Sequence, residues 1–244
     1  MTVSLSFGVP HMNNRLLFAL VATLSTFSFA APSQRDDAFL ASPAQRPLAV
    51  DPTTLAARGA QVAHVEARLG VPTFVWLTGF PADSTAEKTA KRSLAALADA
   101  WRVDAAELDA LAVKELHRNE RTGSVVRFAQ KIGGVSVFRG QFDVLLDRAG
   151  APVAVSGYPA PSAFVREASR AFPLAGPAAV AMTFRALTGQ TARFEVAGVD
   201  GEWARLSMAG AAPGWRLASV PRVRQFYCLL ADRLEPAWHV ELDV

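Results

Sequence analysis

The residues that could supply acid–base or metal chemistry are few and scattered along the chain. Three of the four histidines, His64, His117 and His239, follow the first thirty residues, and none has a second histidine within one or two helical turns. The H-E-x-x-H motif of zinc peptidases is absent from the sequence. His-Val-Glu occurs at 64–66 and at 239–241, where a metal ligand could stand beside a base. The first is predicted in a short helix and the second on the polar face of a strand, so we interpret both as solvated pairs.

Motifs for a nucleophile or for phosphate binding are also missing. Without a G-x-S-x-G sequence, Ser156 has no nucleophile elbow and is expected to end a strand. Gly133, Gly134 and Gly140 do not match a phosphate-binding loop, and a tight turn or bulge explains them better. Cys228 is the single cysteine, so it can form no intrachain disulfide and is interpreted as a small buried hydrophobe. We therefore expect no catalytic residue, no metal site and no cofactor, and hence no enzyme.

Composition limits the class of protein and of partner. With 244 residues, of which 51% are hydrophobic, the chain can bury one large core or two smaller ones. The net charge of +3 arises from 25 basic and 22 acidic residues, and neither sign runs in blocks. Nucleic acid is therefore not an expected partner, because no basic stripe could follow a phosphate backbone.

The N-terminus carries the pattern of an export signal. Arg15 precedes the apolar run Leu16–Leu24, and Ser28 and Ala30 occupy the small-residue positions of a cleavage site before Ala31. The apolar stretch is shorter than the roughly 20 residues that a membrane-spanning helix needs. We predict a signal peptide over residues 1–30, a secreted location that is extracellular or periplasmic, and no membrane attachment after cleavage. Residues 31–60 mix proline, alanine and charge, which predicts a flexible leader.

Helix signals precede strands in the first half of the mature chain, residues 61–160. A strand is expected at 73–77. It is followed by a helix for which Ser84 and Glu87 have the spacing of a capping box, and Asp104 and Glu107 repeat that spacing before a shorter helix.

Residues 125–158 then alternate apolar and polar side chains, which predicts an antiparallel meander. Val126, Phe128 and Gln130 share one face, and breaks occur at Gly133-Gly134 and at the turn 147–150.

The order of elements repeats over residues 161–244. Pro177 can open a helix that Gly189 ends, and two strands follow, joined by Asp200-Gly201. In the last strand Trp238, Val240 and Leu242 point one way, while His239 and Glu241 point the other. The sequence thus predicts an α+β fold made of two units, each with helices beside an antiparallel sheet.

Gln130 is unusual because it shares a predicted buried face with Phe128. A buried amide needs hydrogen-bond partners, so Gln130 either bonds the backbone of a neighbouring segment or contacts another protein. Exposed edges of an open antiparallel sheet offer a second means of binding, since they can receive a strand from a partner.

Residues 125–158 resemble the propeptide module of fungalysin and thermolysin precursors, usually called the FTP domain. That family's pattern reads approximately "hvRFqQ", three residues, "GipVfg", and then an alternating strand with "dkdG" and "vvsvsG". The positions that match are Arg127, Phe128, Gln130, Gly134, Val135, Val137, Phe138, Asp147, Gly150 and Gly157. Ser136 stands where the family often has proline, and Arg139 stands where a small residue is usual. The segment from Pro177 to the end resembles the PepSY-type half that commonly follows, chiefly through Trp238.

The resemblance implies a pro-region that assists the folding of a zinc metallopeptidase and keeps it inactive. The matching residues Arg127, Phe128, Gln130, Gly134, Val137, Gly150 and Trp238 would then serve fold and contact geometry. The implied partner is the peptidase catalytic domain, in cis if the chain is part of a precursor and in trans otherwise. Two alternatives stay open. The chain could be a secreted module that binds some other protein, or an enzyme with a site that the sequence does not display.

Overall fold

The computed structural model describes residues 2–3, 45–109, 111–119, 121–210 and 214–244. The predicted signal peptide and residues 31–44 of the predicted leader therefore lie outside the described residues, apart from the two-residue strand β1 (Thr2–Val3). The fold is α+β, as predicted. None of the described helices is long and apolar enough to cross a bilayer.

Two compact units divide the chain. The large unit contains residues 45–168 together with Tyr227–Glu235, and the small unit contains Ser169–Phe226 and Pro236–Val244. The predicted domain boundaries, at 61–160 and 161–244, remain a prediction, because compactness alone does not show which segments fold independently.

Part of the predicted leader is in fact a helix. Helix α1 (Pro52–Ala57) begins after Asp51, whose carboxylate accepts a hydrogen bond of 2.8 Å from the Thr53 amide. The proline fits the first turn because its missing N–H has no partner there in any helix. Leu55, which is 2% exposed, anchors the helix. The leader prediction is therefore wrong for residues 52–60, since so short a helix shows no apolar period in the sequence.

Strand β2 (Ala60–Glu66) follows, so the short helix predicted around His64 is wrong. It pairs antiparallel with β3 (Val71–Leu77), which confirms the strand predicted at 73–77. The pairing of β2 with β3, a tertiary contact, overrides the helical preference of the Ala-His-Val-Glu-Ala-Arg-Leu segment.

The helices of the large unit lie where they are predicted, but their caps differ. Helix α2 (Ala86–Ala95) is capped by Thr85, which accepts from the Lys88 amide at 3.2 Å, so the cap is not Ser84. A 3₁₀ helix (Ala98–Trp101) and α3 (Ala105–Asp109) come next.

The capping box predicted at Glu107 is also not formed. The Glu107 carboxylate instead accepts a hydrogen bond of 2.8 Å from the Ser162 hydroxyl. That hydroxyl in turn accepts a hydrogen bond of 2.8 Å from the Asp104 amide.

The predicted meander is confirmed as the centre of a six-stranded antiparallel sheet in the order β4-β5-β6-β7-β3-β2. Its four remaining strands are β4 (Ala112–Asn119), β5 (Gly123–Ile132), β6 (Val135–Leu146) and β7 (Pro152–Tyr158). The inner face is apolar, and there the Phe142 ring meets Trp101 edge-on at 4.8 Å. Helix α4 (Ser162–Glu167) ends this part of the large unit.

The small unit packs one helix on an antiparallel sheet. Its elements are α5 (Gly176–Thr188), β8 (Phe194–Asp200), β9 (Trp203–Met208), β10 (Arg222–Leu229) and β11 (Leu234–Asp243), the last two sharing residues with the large unit. Val180, Phe184, Val240 and Leu242 belong to its core, as the apolar stripes predict. Asp200 pairs directly with Trp203, so Gly201 and Glu202 form the β8–β9 turn, one residue later than the predicted Asp200-Gly201.

Candidate protein-interaction face

Gln130 lies at a large bulge in the large unit. The β5–β6 ladder pairs Ala129 with Gln141 and then Lys131 with Ser136. Between those two pairs β5 has one residue, Gln130, whereas β6 has four, 137–140. A bulge of this size bends a strand and leaves backbone groups without ladder partners.

Beside this bulge the side-chain amide of Gln130 bonds the backbone at Ala160. The Ala160 N–H donates to Oε1 at 2.8 Å, and Nε2 donates to the Ala160 carbonyl at 3.2 Å. Gln130 is 6% exposed and Ala160 is fully buried. Gly140 leaves room for this pair, since a Cβ there would lie 3.1 Å from the Gln130 Oε1 and 2.7 Å from the Val137 Cβ. Gln130 therefore bonds the backbone of a neighbouring segment, the first of the two alternatives.

The other positions of the sequence motif also lie inside the fold or at its turns. Phe128 is fully buried and Val137 is 5% exposed. Gly134 and Gly150 have φ angles of 86° and 84°, a region that favours glycine, and each closes a hairpin turn. Trp238 belongs to the small unit, where its indole N–H donates to the Leu174 carbonyl at 2.8 Å. The structure thus brings Phe128, Gln130 and Val137 into one region and keeps Trp238 in the other unit.

Arg127 points to the opposite face of the same sheet, which we call the outer face. One row of directly paired residues crosses all six strands there: His64, Phe74, Ser156, Asp143, Arg127 and Glu115. Directly paired residues share a face of the sheet, so these six side chains form a continuous line.

The charge of Arg127 is neutralised within that row. Its Nε and Nη2 donate to the two carboxylate oxygens of Asp143 at 2.7 and 3.2 Å, and its Nη1 donates to Glu115 at 3.0 Å. Hydrogen bonding to Asp143 is the main reason that the pKa of Arg127 is raised above its usual range. With two carboxylates in contact, Arg127 acts as a fixed, neutralised part of the surface rather than as a free cation.

The neighbouring row carries two large exposed apolar side chains, Trp76 and Leu145. It contains Gln61, Trp76, Ala154, Leu145, Val125 and His117. The side chain of Trp76 is 49% exposed and that of Leu145 is 37% exposed. Phe74 meets Trp76 edge-on with ring centroids 4.9 Å apart. Ala154, 3% exposed, lies between Trp76 and Leu145 in the row, so the two large side chains flank a small buried residue.

These two rows have the composition of a protein contact surface. Tryptophan and arginine are the residues most often enriched where partners bind, and contiguous exposed apolar area on a soluble protein usually marks such a place. Trp76 was missed in the sequence because the segment Thr-Phe-Val-Trp-Leu is apolar at every position but one. A continuously apolar strand does not show which of its faces is buried.

A cluster of hydrogen-bonded polar side chains connects β2 to β7 at one end of the sheet. The Tyr158 hydroxyl donates to Glu66 Oε2 at 3.2 Å, and Arg68 donates to both oxygens of Glu66 at 2.8 Å. Burial, together with the charge of Glu66, raises the pKa of Tyr158 to about 12, while bonding to Arg68 lowers the pKa of Glu66. Glu66 therefore pairs with Arg68 and Tyr158, not with His64 as the His-Val-Glu spacing suggests.

The second His-Val-Glu sequence is not a solvated pair, and that prediction is wrong. In the small unit the side chains of His239 and Glu241 are 13% and 20% exposed. The His239 ring lies 4.9 Å from that of Trp203, and Arg224 Nε donates to its Nδ1 at 3.4 Å. The guanidinium groups of Arg222 and Arg224 each lie 4.6 Å from the centre of the Trp203 ring. Cross-strand stacking explains the partial burial of His239.

The described residues show neither a group of metal ligands nor a reactive thiol. Within residues 45–244, apart from the five undescribed positions, no three His, Cys, Asp or Glu side chains form a group suited to a metal ion. Cys228 is 6% exposed, and burial raises the pKa of its thiol, which suits the packing role predicted for it. That the chain is not an enzyme remains a prediction.

Comparison with known proteins finds a remote likeness among solved structures. No protein-family model matches the chain, and no curated protein matches it. Among solved structures the chain is similar to the C-terminal domain of YpeB from Bacillus megaterium, with 12% sequence identity over 71% of this chain and 72% of that one. The TM-score is 0.27, so this likeness carries no argument about function. The resemblance to the FTP module also remains a prediction.

Proposed function

We propose that the chain is a secreted, non-catalytic protein that binds a zinc metallopeptidase of the fungalysin or thermolysin type and inhibits it or assists its folding. It would act as the pro-region of a precursor in cis, or as a separate protein in trans. The proposal joins the sequence resemblance of residues 125–158 to a surface suited to protein contact.

The observation that carries the proposal is the exposure of two large apolar side chains, those of Trp76 and Leu145, in one row of the outer face. Trp76 and Leu145 lie beside the row in which Arg127 is paired with two carboxylates, on a rigid six-stranded sheet. A rigid surface loses little conformational entropy on binding, and a large aromatic side chain gains much from being covered. Binding through shape and buried area needs no reactive group, which suits a pro-region.

The buried motif residues support the same function in a second way. Gln130, bonded to Ala160, packs against Gly140 at the β6 bulge, and the bulge bends the strand that also carries Asp143 and Leu145. The buried motif residues would thus set the curvature of the outer face without contacting the partner.

Inhibition in trans tests the proposal. The purified chain from residue 31 to 244 is added to a thermolysin-like peptidase, and the hydrolysis of a reporter peptide is followed. Dose-dependent inhibition without degradation of the added chain is expected.

A complete absence of inhibition and of binding to peptidases of both types would contradict the proposal. Capture of an unrelated secreted protein by the same chain would instead favour a general binding module.

A further inference from the structure

The small unit contains a cavity of about 420 Å³ that the proposed function does not use. Three carboxylates and two guanidinium groups line it, together with the side chains of Trp203, Ser219 and Val220. Its volume falls within the range of sites that hold small ligands. What the cavity can bind depends on which of its lining charges have no partner inside the unit.

Two of the three carboxylates are neutralised by arginines. Arg205 and Arg222 are directly paired across β9 and β10, so their side chains lie on one face of the small sheet. Arg205 Nη2 donates to Asp200 Oδ2 at 3.1 Å, and Arg222 Nε donates to Glu241 Oε2. The Arg222 guanidinium also lies over the ring of Trp203. An anion entering the cavity would therefore have to displace one of these carboxylates from its arginine.

The third carboxylate, that of Asp243, is bonded differently. Its Oδ2 accepts from the Ser219 hydroxyl at 2.6 Å, while its Oδ1 is buried and meets no hydrogen-bond donor in the described part of the chain. Among the same residues, no arginine, lysine or histidine forms an ion pair with it. A neutral hydroxyl offsets only part of the cost of burying a carboxylate oxygen. The cavity thus retains one uncompensated negative charge.

That charge suits an organic cation better than a metal ion. Within the described ranges no three acidic, histidine or cysteine side chains form a group that could hold a metal. An ammonium or guanidinium group needs only one carboxylate, and the aliphatic part of a lysine or arginine side chain can lie along apolar surface. Val220, 62% exposed, supplies such surface at the cavity. The Ala218 N–H, which donates to the Asp243 carbonyl at 3.1 Å, holds this segment against β11.

We propose that this cavity is a second binding site, which takes a lysine or arginine side chain of a polypeptide and pairs it with Asp243. The inference is independent of the proposed function, because Trp76, Leu145 and Arg127 all belong to the large unit. Binding through one charge contact is expected to be weak and to weaken further as salt rises.

NMR spectroscopy of the chain from residue 31 to 244, isotope-labelled at the indole nitrogens of its five tryptophans, tests the inference. The probes are N-acetyl-arginine amide and N-acetyl-lysine amide. N-acetyl-citrulline amide is the control, because it has nearly the shape of the arginine probe without its charge. The Trp203 signal, identified by its absence in Trp203→Phe, should shift saturably with the two cationic probes and not with the citrulline compound.

Asp243→Asn tests the role of the unpaired carboxylate. The amide keeps the shape of the side chain and can still accept from Ser219, but binding of both cationic probes should weaken at least tenfold. The urea midpoint of this variant should equal or exceed that of the parent chain, because an uncompensated charge is removed. Glu195→Gln is the matched control, since this carboxylate is 61% exposed on β8 and does not line the cavity. It should bind the probes as the parent chain does.

Three results would overturn the inference. They are equal shifts with the arginine and citrulline probes, no saturable shift of the Trp203 signal, and unchanged binding by Asp243→Asn. Tighter binding of the free diamine putrescine than of either blocked amino acid would assign the cavity to a small amine and overturn the polypeptide assignment. All of these results leave the proposed function intact, because inhibition of a peptidase is measured separately.

Discussion

Gln130 and Ala160, which are thirty residues apart, are joined by two hydrogen bonds. The side-chain amide of Gln130 thus bonds both the N–H and the carbonyl of Ala160, as a strand backbone would. The pair is buried, and it lies where one residue of β5 faces four residues of β6. It therefore links the bulge to the segment that leads into helix α4.

Replacing Gln130 with alanine should destabilise the fold measurably. The variant leaves the buried N–H and carbonyl of Ala160 without these partners, which is expected to cost about 1–3 kcal/mol in the free energy of unfolding. Urea denaturation followed by tryptophan fluorescence measures the change. Gln190→Ala, at an exposed position of the small unit, is the control and should be near neutral. An unchanged midpoint for Gln130→Ala would show that the bond pair contributes nothing.

Gly140→Ala should also be destabilising, for a steric reason. A Cβ at this position would lie 2.7 Å from the Val137 Cβ and 3.1 Å from the Gln130 Oε1, so the bulge would have to shift. The expected loss is about 1–3 kcal/mol, which is typical of overpacking in a core. Gly198→Ala is the matched control, because a Cβ there meets nothing within 4 Å. Equal stabilities for the two variants would contradict the packing described around Gln130.

The stability of the large unit should fall at high pH because of Tyr158. Its pKa is raised from 10 in the unfolded chain to about 12, since burial and Glu66 disfavour the phenolate. The stabilising effect is complete below pH 10 and is lost as pH rises toward 12, because the unfolded chain releases the proton first.

Tyr158→Phe tests this pH dependence. The slope of the unfolding free energy between pH 10 and 12 should be less steep in the variant than in the parent chain by up to about 1.4 kcal/mol per pH unit. Identical slopes would show that Tyr158 is not protected in the folded state.

The sequence predicts the α+β class and the meander because period-two alternation directly reflects which side chains are buried. Val126, Phe128 and Gln130 do share the inner face, and Gly133 and Gly134 do form a turn with positive φ angles. A bulge is one of the two explanations that the sequence offers for Gly140, but the size of the bulge and its place opposite Gln130 are not visible, because alternation continues on both sides of it. The number of residues that β6 places opposite Gln130 depends on the pairing of both strands.

The candidate contact surface could be predicted only in part. Arg127 stands out because it matches a family motif, but its partners Asp143 and Glu115 come from other strands, and only the register brings them together. Trp76 cannot be recognised at all, since its exposure depends on which face of β3 the helices cover. Helix α1 is missed for a similar reason, as one buried leucine, Leu55, makes no period.

Comparing two tryptophan variants tests most directly whether the outer face binds a peptidase through Trp76. Trp76→Ala and Trp215→Ala each remove an exposed indole, 49% and 38% exposed, the first from the large unit and the second from the small unit. Inhibition of a thermolysin-like peptidase by each variant of the chain from residue 31 to 244 is compared with inhibition by the parent chain. We expect at least a tenfold loss of inhibition for Trp76→Ala, little change for Trp215→Ala, and similar urea midpoints for both. Equal inhibition by the parent chain and Trp76→Ala would contradict this expectation.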